Sequence, residues 1–281
     1  MTHPVYSYFP GCSLATSAKE NNESMVSFLD AFGIQLVELE DWNCCGSSSA
    51  HSLDSELAHD LACRNLSLAP EGRPLLVACP SCYLRLKGAH FRISQDTTKE
   101  KQYQIKWGRA HQSDLQIVHF FELLHTISHT AAFQDKIKKL AGLRIAPYYG
   151  CMLAYPPALR RQQDFAGVME NVIVALGGIA LGWAFSARCC GTFLTAARPD
   201  IVSPIINQIT KGAILAGADC IVTACAMCHL NLEIRSHKPN QLPIFHFSEM
   251  LSLALGLEIS DTWFSRHLID PRPLLAKKQL I

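Results

Sequence analysis

The sequence predicts an α/β protein made of two pseudo-symmetric halves, each a small parallel β-sheet flanked by helices. Three observations predict it. The cysteines fall in one order twice: Cys12, Cys44-Cys45 and Cys79-Pro80-Ser81-Cys82, then Cys151, Cys189-Cys190 and Cys225-Ala226-Met227-Cys228. Their neighbours repeat as well, since Pro10-Gly11-Cys12 answers Tyr149-Gly150-Cys151 and Asn43-Cys44-Cys45-Gly46 answers Arg188-Cys189-Cys190-Gly191. Between these points the apolar period alternates between that of a strand and that of a helix, the mark of parallel sheets with crossover helices.

Taken in order, Val5 to Phe9 reads as a strand, and 16–32 as a helix that stops at Gly33, a residue favoured just past a helix C-terminus. A strand over 34–39 delivers Cys44-Cys45 to its C-terminal loop. Over 54–69, Leu57, Ala58, Leu61, Ala62 and Leu66 share one helical face, and 75–78 is a buried strand ending at Cys79. The second half repeats this with strand 143–149, helix 165–176, strand 179–183, helix 199–216 and strand 220–223, with Pro199 suited to a first helical turn. The segment 117–124 answers 243–251, placing His119 and His246 at equivalent strand-to-helix junctions. The polar stretch 95–113 has no clear apolar period and reads as a surface excursion, and 135–141 as a linker helix. The halves divide as 1–134 and 135–281.

Composition narrows the function. With 281 residues, 49% hydrophobic and a net charge of +1, the chain builds real cores and carries no basic run to track phosphates, so nucleic acid is not an expected partner. The apolar stretch 172–187 contains three glycines and a serine and is short for a bilayer span. The first residues show no secretory pattern, so a cytoplasmic protein is expected, and its twelve cysteines then point to metal rather than disulfides. No Gly-x-Gly-x-x-Gly run follows the first strand, which leaves no nicotinamide or flavin fingerprint.

Each cysteine group is expected just past a strand's C-terminal end, the edge where open α/β sheets bind ligands. A CxxC opening a helix puts two sulfurs within reach of one metal and favours thiolates. Such pairs alone also suit zinc or a redox dithiol. The adjacent Cys-Cys-Gly and a total of five thiols per half exceed the four ligands of tetrahedral zinc and of a common cubane cluster. Gly46 and Gly191, without a Cβ, leave room beside such a centre.

The pattern Cys…Cys-Cys-Gly…Cys-x-x-Cys, present twice, resembles the cysteine-rich CCG domain, and two such domains in one chain resemble the B subunit of heterodisulfide reductase. The resemblance covers almost the whole chain. It implies two CCG domains, each with a noncubane [4Fe-4S] cluster. Cys12, Cys44, Cys45, Cys79 and Cys82 would hold one; Cys151, Cys189, Cys190, Cys225 and Cys228 would hold the other. It further implies disulfide or thiol redox chemistry on a sulfur substrate, a ferredoxin-like C subunit and a flavin-containing A subunit as partners, and membrane association only through such a complex. Zinc in the N-terminal half is the alternative cofactor. The alternative function is a non-catalytic cluster- or zinc-binding subunit of a membrane-associated dehydrogenase, as in an unusual succinate dehydrogenase subunit. Where a proline often follows the first cysteine of the last pair, as Pro80 does, the second half has Ala226, a departure that bears on pocket shape.

Other residues have plainer readings. Cys63 and Cys220 lie outside the repeat and are expected in the core. His119 and His246 suit helix capping. His229, next to Cys228, is a candidate donor to a cluster or substrate sulfur. Arg85 and Lys87 follow the first CxxC at helical spacing and read as solvated charge, with attraction of an anionic substrate as the alternative.

Overall fold

The computed structural model describes residues 4–47, 50–137, 140, 142–154, 165–237, 239–257 and 261–281. The first half contains strands β1 (Val5–Phe9), β2 (Gln35–Glu38), β3 (Leu75–Val77) and β4 (Ile117–His119) in the parallel order β2-β1-β3-β4. The second contains β5 (Arg144–Tyr148), β6 (Ile179–Ala180), β7 (Cys220–Thr223) and β8 (Ile244–His246) in the order β6-β5-β7-β8. The two sheets therefore have one topology, as the repeat requires. Leu75, Leu76 and Val77 are wholly buried, as are all of Cys220, Ile221, Val222 and Thr223, which fits inner strands covered on both faces.

The helices of the first half are α1 (Gly11–Ala15), α2 (Lys19–Ala31), α3 (Ala50–Leu53), α4 (Ser55–Leu68), α5 (Pro80–Ser94), α6 (Thr97–Trp107), α7 (Phe120–Ser128) and α8 (Ala131–Lys136). Those described in the second are α9 (Gly150–Ala154), α10 (Val168–Ala175), α11 (Pro199–Leu215), α12 (Ala226–Arg235), α13 (Phe247–Leu255), α14 (Asp261–Ser265) and α15 (Arg272–Lys277).

Several boundaries differ from expectation for local reasons. The first helix is broken: α1 ends where Thr16 Oγ1 donates to the Cys12 carbonyl at 2.6 Å, and α2 restarts after Ala18. It does stop before Gly33, whose φ of +71° suits glycine. Leu57 is 48% exposed, so the buried face of α4 is carried by Ala58, Ala62 and Leu66. Helix α10 starts only at Val168, because Gly167 precedes it at φ +79°. Strand β6 stops at Ala180 because its neighbour runs out of donors: Leu181 N–H reaches the Ile145 carbonyl, but Pro147, two residues on and facing the same way, has no amide. Trp183 Nε1 takes the Pro147 carbonyl instead, at 2.8 Å.

The polar excursion 95–113 holds a full helix, α6, capped by Asp96, which accepts from Thr98 and Lys99 amides, and closed by left-handed Gly108. Only Tyr103 of this helix is buried, which is why no apolar period marks it. The helix expected over 135–141 instead ends at Lys136, having begun after its cap at Thr130, and Ile137 is extended; residues 138, 139 and 141 lie outside the described residues.

One apolar core runs through both halves. Phe28 and Phe120 pack edge to face at 6.0 Å between ring centres, and Phe121 meets Phe247 across the halves at 5.3 Å. Beside this core α2 and α13 lie together, joined by hydrogen bonds between Ser24 and Ser248 (2.7 Å) and from Ser252 to the Ser24 carbonyl (3.0 Å). A second, smaller cluster under Tyr148 and Trp183 belongs to the C-terminal half alone.

Candidate metal centre

Every patterned cysteine leaves the C-terminal side of its sheet. Cys12 and Cys151 sit in the first turns of α1 and α9, after β1 and β5. Cys44-Cys45 and Cys189-Cys190 lie in the loops after β2 and β6. Cys79 and Cys225 cap α5 and α12, whose first turns carry Cys82 and Cys228. Parallel topology thus points three loops per half at one edge, and the sulfurs converge there.

In the N-terminal half Cys44 lies 3.8 Å from Cys12 and Cys45 lies 3.1 Å from Cys82, sulfur to sulfur. In the C-terminal half Cys190 and Cys228 are 3.3 Å apart, Cys151 and Cys189 lie near enough to shift each other, and all five cysteines line one pocket with Pro80, Ser81, Met152, Phe193 and Met227. The separations exceed the roughly 2.05 Å of a disulfide and suit sulfurs gathered around something else. The two quintets also adjoin: Cys79 and Cys225 lie near enough to shift each other, Cys79 up and Cys225 down. Cys12 and Cys189 are exposed and Cys44 and Cys151 half-buried, while the other six are buried. Each centre therefore has a closed floor and an open rim.

The thiols perturb one another. The hydrogen bond from Cys228 draws Cys190 down to about 7, and that from Cys151 draws Cys189 down to about 6. Hydrogen bonding to Cys44 pushes Cys45 up to about 11. Crowded thiols that share protons in this way are a donor set for a metal, which replaces those protons and removes the mutual repulsion.

The chain makes space for the sulfurs at glycines. A Cβ on Gly11 would come within 2.9 Å of the Cys82 sulfur, and one on Gly150 within 3.2 Å of the Cys228 sulfur. Both glycines also have positive φ, +73° and +67°. Gly46 and Gly191, singled out in the sequence, are at φ +80° and +75°, but the space beside them is filled by Ala50, Ala58 and Leu61 in one case and Val202 in the other. They turn the Cys-Cys loop and seat it on a helix; Gly11 and Gly150 are the ones beside sulfur.

Two ties missed in the sequence hold the loops together. Ser47 Oγ donates to the Ser81 carbonyl at 3.2 Å and Thr192 Oγ1 to the Met227 carbonyl at 3.0 Å. Each fastens the residue after Cys-Cys-Gly to the middle of the same half's CxxC. The signal was present as a hydroxyl residue at the same place in both copies. His119 and His246 cap α7 and α13 with reciprocal bonds to Glu122 and Glu249. Their rings also hold the carbonyls just before the CxxC loops: His119 Nε2 donates to Ala78 at 3.0 Å, and His246 bonds Ala224. Burial holds His119 down to about 3 and His246 to about 4, so both stay neutral.

Other candidates fall elsewhere. The ring nitrogens of His229 face Asn21 and Glu233 rather than a sulfur. Lys87 is half-buried and donates to the Tyr83 hydroxyl at 2.7 Å, so its charge is not simply solvated; Arg85 is half-buried too. Cys63, 3.4 Å from His59, and Cys220 are buried in the core as expected, and burial pushes Cys63 up to about 12.

Fold and thiol geometry define a duplicated α/β protein with two adjoining quintets of converging cysteines. A family model described as CCG, cysteine-rich domain, matches residues 6–87 and 145–233, more than half of the chain, and the chain belongs to that family. It is 26% identical to the 8-methylmenaquinol:fumarate reductase membrane anchor subunit of Wolinella succinogenes, covering 96% of this chain and 98% of that one. It is 24% identical to the B subunit of the ferredoxin/F420H2-dependent CoB-CoM heterodisulfide reductase of Methanosarcina acetivorans, covering 96% of each. Among solved structures, a hypothetical protein from Helicobacter pylori superposes with a TM-score of 0.75 at 13% identity. The match covers 95% of this chain and 53% of that one, and so shows the fold.

Proposed function

We propose that the chain is the iron–sulfur subunit of a heterodisulfide-reductase-like complex and carries out disulfide or thiol redox chemistry at two noncubane [4Fe-4S] clusters. The N-terminal quintet would hold one and the C-terminal quintet the other, with CCG domains at 1–134 and 135–281. The observation that carries this reading is that both sets of five sulfurs are complete and adjoin at Cys79 and Cys225. Relatives named as the B subunit of heterodisulfide reductases, or as similar to it, support this reading.

When bound, such a cluster supplies one-electron chemistry at iron toward sulfur. The chain's own groups do the rest. Buried Cys45, Cys79, Cys82, Cys190, Cys225 and Cys228 form the floor, and the rim at Cys12, Cys44, Cys151 and Cys189 admits a sulfur substrate. Pro80, Met152, Phe193 and Met227 give the C-terminal pocket apolar walls that limit water. The His119 and His246 clamps and the Ser47 and Thr192 ties fix the CxxC loops, so the sulfurs stay in place as charge changes.

Electrons would come from a ferredoxin-like C subunit served by a flavin-containing A subunit. No helix among the described residues is long and apolar enough to cross a membrane, and any membrane association would run through the complex. The alternative, a non-catalytic zinc- or cluster-binding subunit of a membrane-associated dehydrogenase, draws on the relative named a membrane anchor. Two complete, adjoining quintets do not favour it.

The test is anaerobic purification with iron, sulfide and zinc assays, then EPR of the oxidised protein with and without a thiol. The proposal expects iron and sulfide in both halves and a thiol-induced signal that Cys190→Ser removes. Zinc without iron in both quintets would end it.

A further inference from the structure

Apart from the cysteines, one group of three side chains among the described residues could hold a metal ion, and it lies where α2 packs against the C-terminal half. His229 and Glu233 are one turn apart on α12, and His267 follows α14. Their side chains are 4%, 3% and 0% exposed. One ligand atom from each lies within 4.8 Å of the others.

From these residues we infer a third metal site, free of sulfur, that takes a divalent transition ion of the zinc type. Two of the three edges fit. Ligand atoms about 2.0–2.1 Å from a tetrahedral zinc lie about 3.3 Å from one another. Glu233 Oε1 is 3.2 Å from His267 Nδ1 and 3.6 Å from His229 Nε2, and the three atoms lie within 4.8 Å of one another, so binding an ion draws the two imidazoles together. Two imidazoles and a carboxylate are a donor set that zinc accepts, with water completing the fourth position.

The orientation of each ligand is fixed from behind, as metal-binding side chains require. His267 Nε2 lies 2.9 Å from Glu249 Oε1, and Glu249 is itself anchored by the His246 amide at 2.7 Å. His229 Nδ1 meets the Asn21 side chain, with Oδ1 at 3.2 Å. Leu268 N–H donates to Glu233 Oε2 at 2.9 Å, leaving Oε1 for the ion. Asn21 belongs to α2, so the other half of the chain closes the site.

One feature is unexplained without an ion. His229 Nε2 is buried, points at Glu233 and has no hydrogen-bond partner. A buried polar atom left unpaired is destabilising, and a metal bond removes that cost.

The test uses the anaerobically purified, cluster-loaded chain. Elemental analysis should find about one zinc per chain besides iron, and zinc-edge X-ray absorption should show nitrogen and oxygen near 2.0–2.1 Å with no sulfur shell near 2.3 Å. His267→Gln and Glu233→Gln should abolish the bound zinc with iron and sulfide unchanged, and Glu249→Gln should weaken zinc binding about 10–100-fold. A sulfur shell would place the zinc in a cysteine quintet and overturn this site. So would zinc retained in both ligand variants, or wild-type protein that holds none and takes up none from added zinc chloride. The absorption measurement on wild-type protein decides the matter if a variant fails to fold. Loss of iron, by contrast, bears on the clusters and not on this site.

Discussion

Gly11 and Gly150 carry two constraints at once, a left-handed backbone and a sulfur in the place of a Cβ. Gly11→Ala should therefore cost more than about 1 kcal/mol and lower the iron bound in the N-terminal half, and Gly150→Ala should do the same in the C-terminal half. Melting temperature and iron content measure both. Gly88, inside α5 with open space around it, is the contrast: Gly88→Ala should stabilise by about 0.5–1 kcal/mol with iron unchanged. The ten cysteines were legible in the sequence because their order repeats. The glycines beside them were legible as residues but not as to role: Gly46 and Gly191 drew attention by adjacency, whereas only the packed structure shows which glycine faces sulfur. His229 misled for the same reason, since its neighbour in the chain is Cys228 and its neighbours in space are Asn21 and Glu233.

Helix ends decide how the cysteine loops are held. His119 donates through Nε2 to Ala78 while Nδ1 accepts from Phe121 N–H at 3.2 Å, so the ring must be neutral to do both. Burial lowers its folded-state value to about 3, against about 6.5 in the unfolded chain. The unfolded state therefore binds more protons between those values. The stability present above pH 6.5 is lost as pH falls toward 3, by up to roughly 1.4 kcal/mol per pH unit. His119→Asn keeps a capping side chain without the titration. Urea midpoints at pH 7 and pH 5 should thus drop less in the variant than in the wild type. Helix α6 shows a different use of a cap: with only Tyr103 buried, it depends on Asp96. Asp96→Ala should cost about 1 kcal/mol in denaturant unfolding and leave iron untouched. A helix of this kind escapes periodicity, because its stability comes from capping and local pairs rather than from an apolar stripe.

The halves are copies in sequence yet not independent in packing. Phe120, Phe121 and Phe247 are buried in a core that belongs to both, and α2 lies along α13. Phe121→Ala should cost about 3–5 kcal/mol and destabilise the whole chain in one transition. The fragment 1–134 should fail to give a dispersed NMR spectrum in isolation, since it would expose Phe121; a well-dispersed spectrum would show that the N-terminal half folds alone. The alternation of strand and helix along the chain, the sheet edge that receives the cysteines and the duplication were determined by the sequence itself, because hydrophobic period and repeat spacing are properties of neighbouring residues. The approach of Cys79 to Cys225 and the meeting of Glu233 with His267 were decided only by the tertiary structure. Those distances depend on how one copy packs against the other and on how the chain after α13 returns to it, and no local pattern encodes a rigid-body fit between buried surfaces.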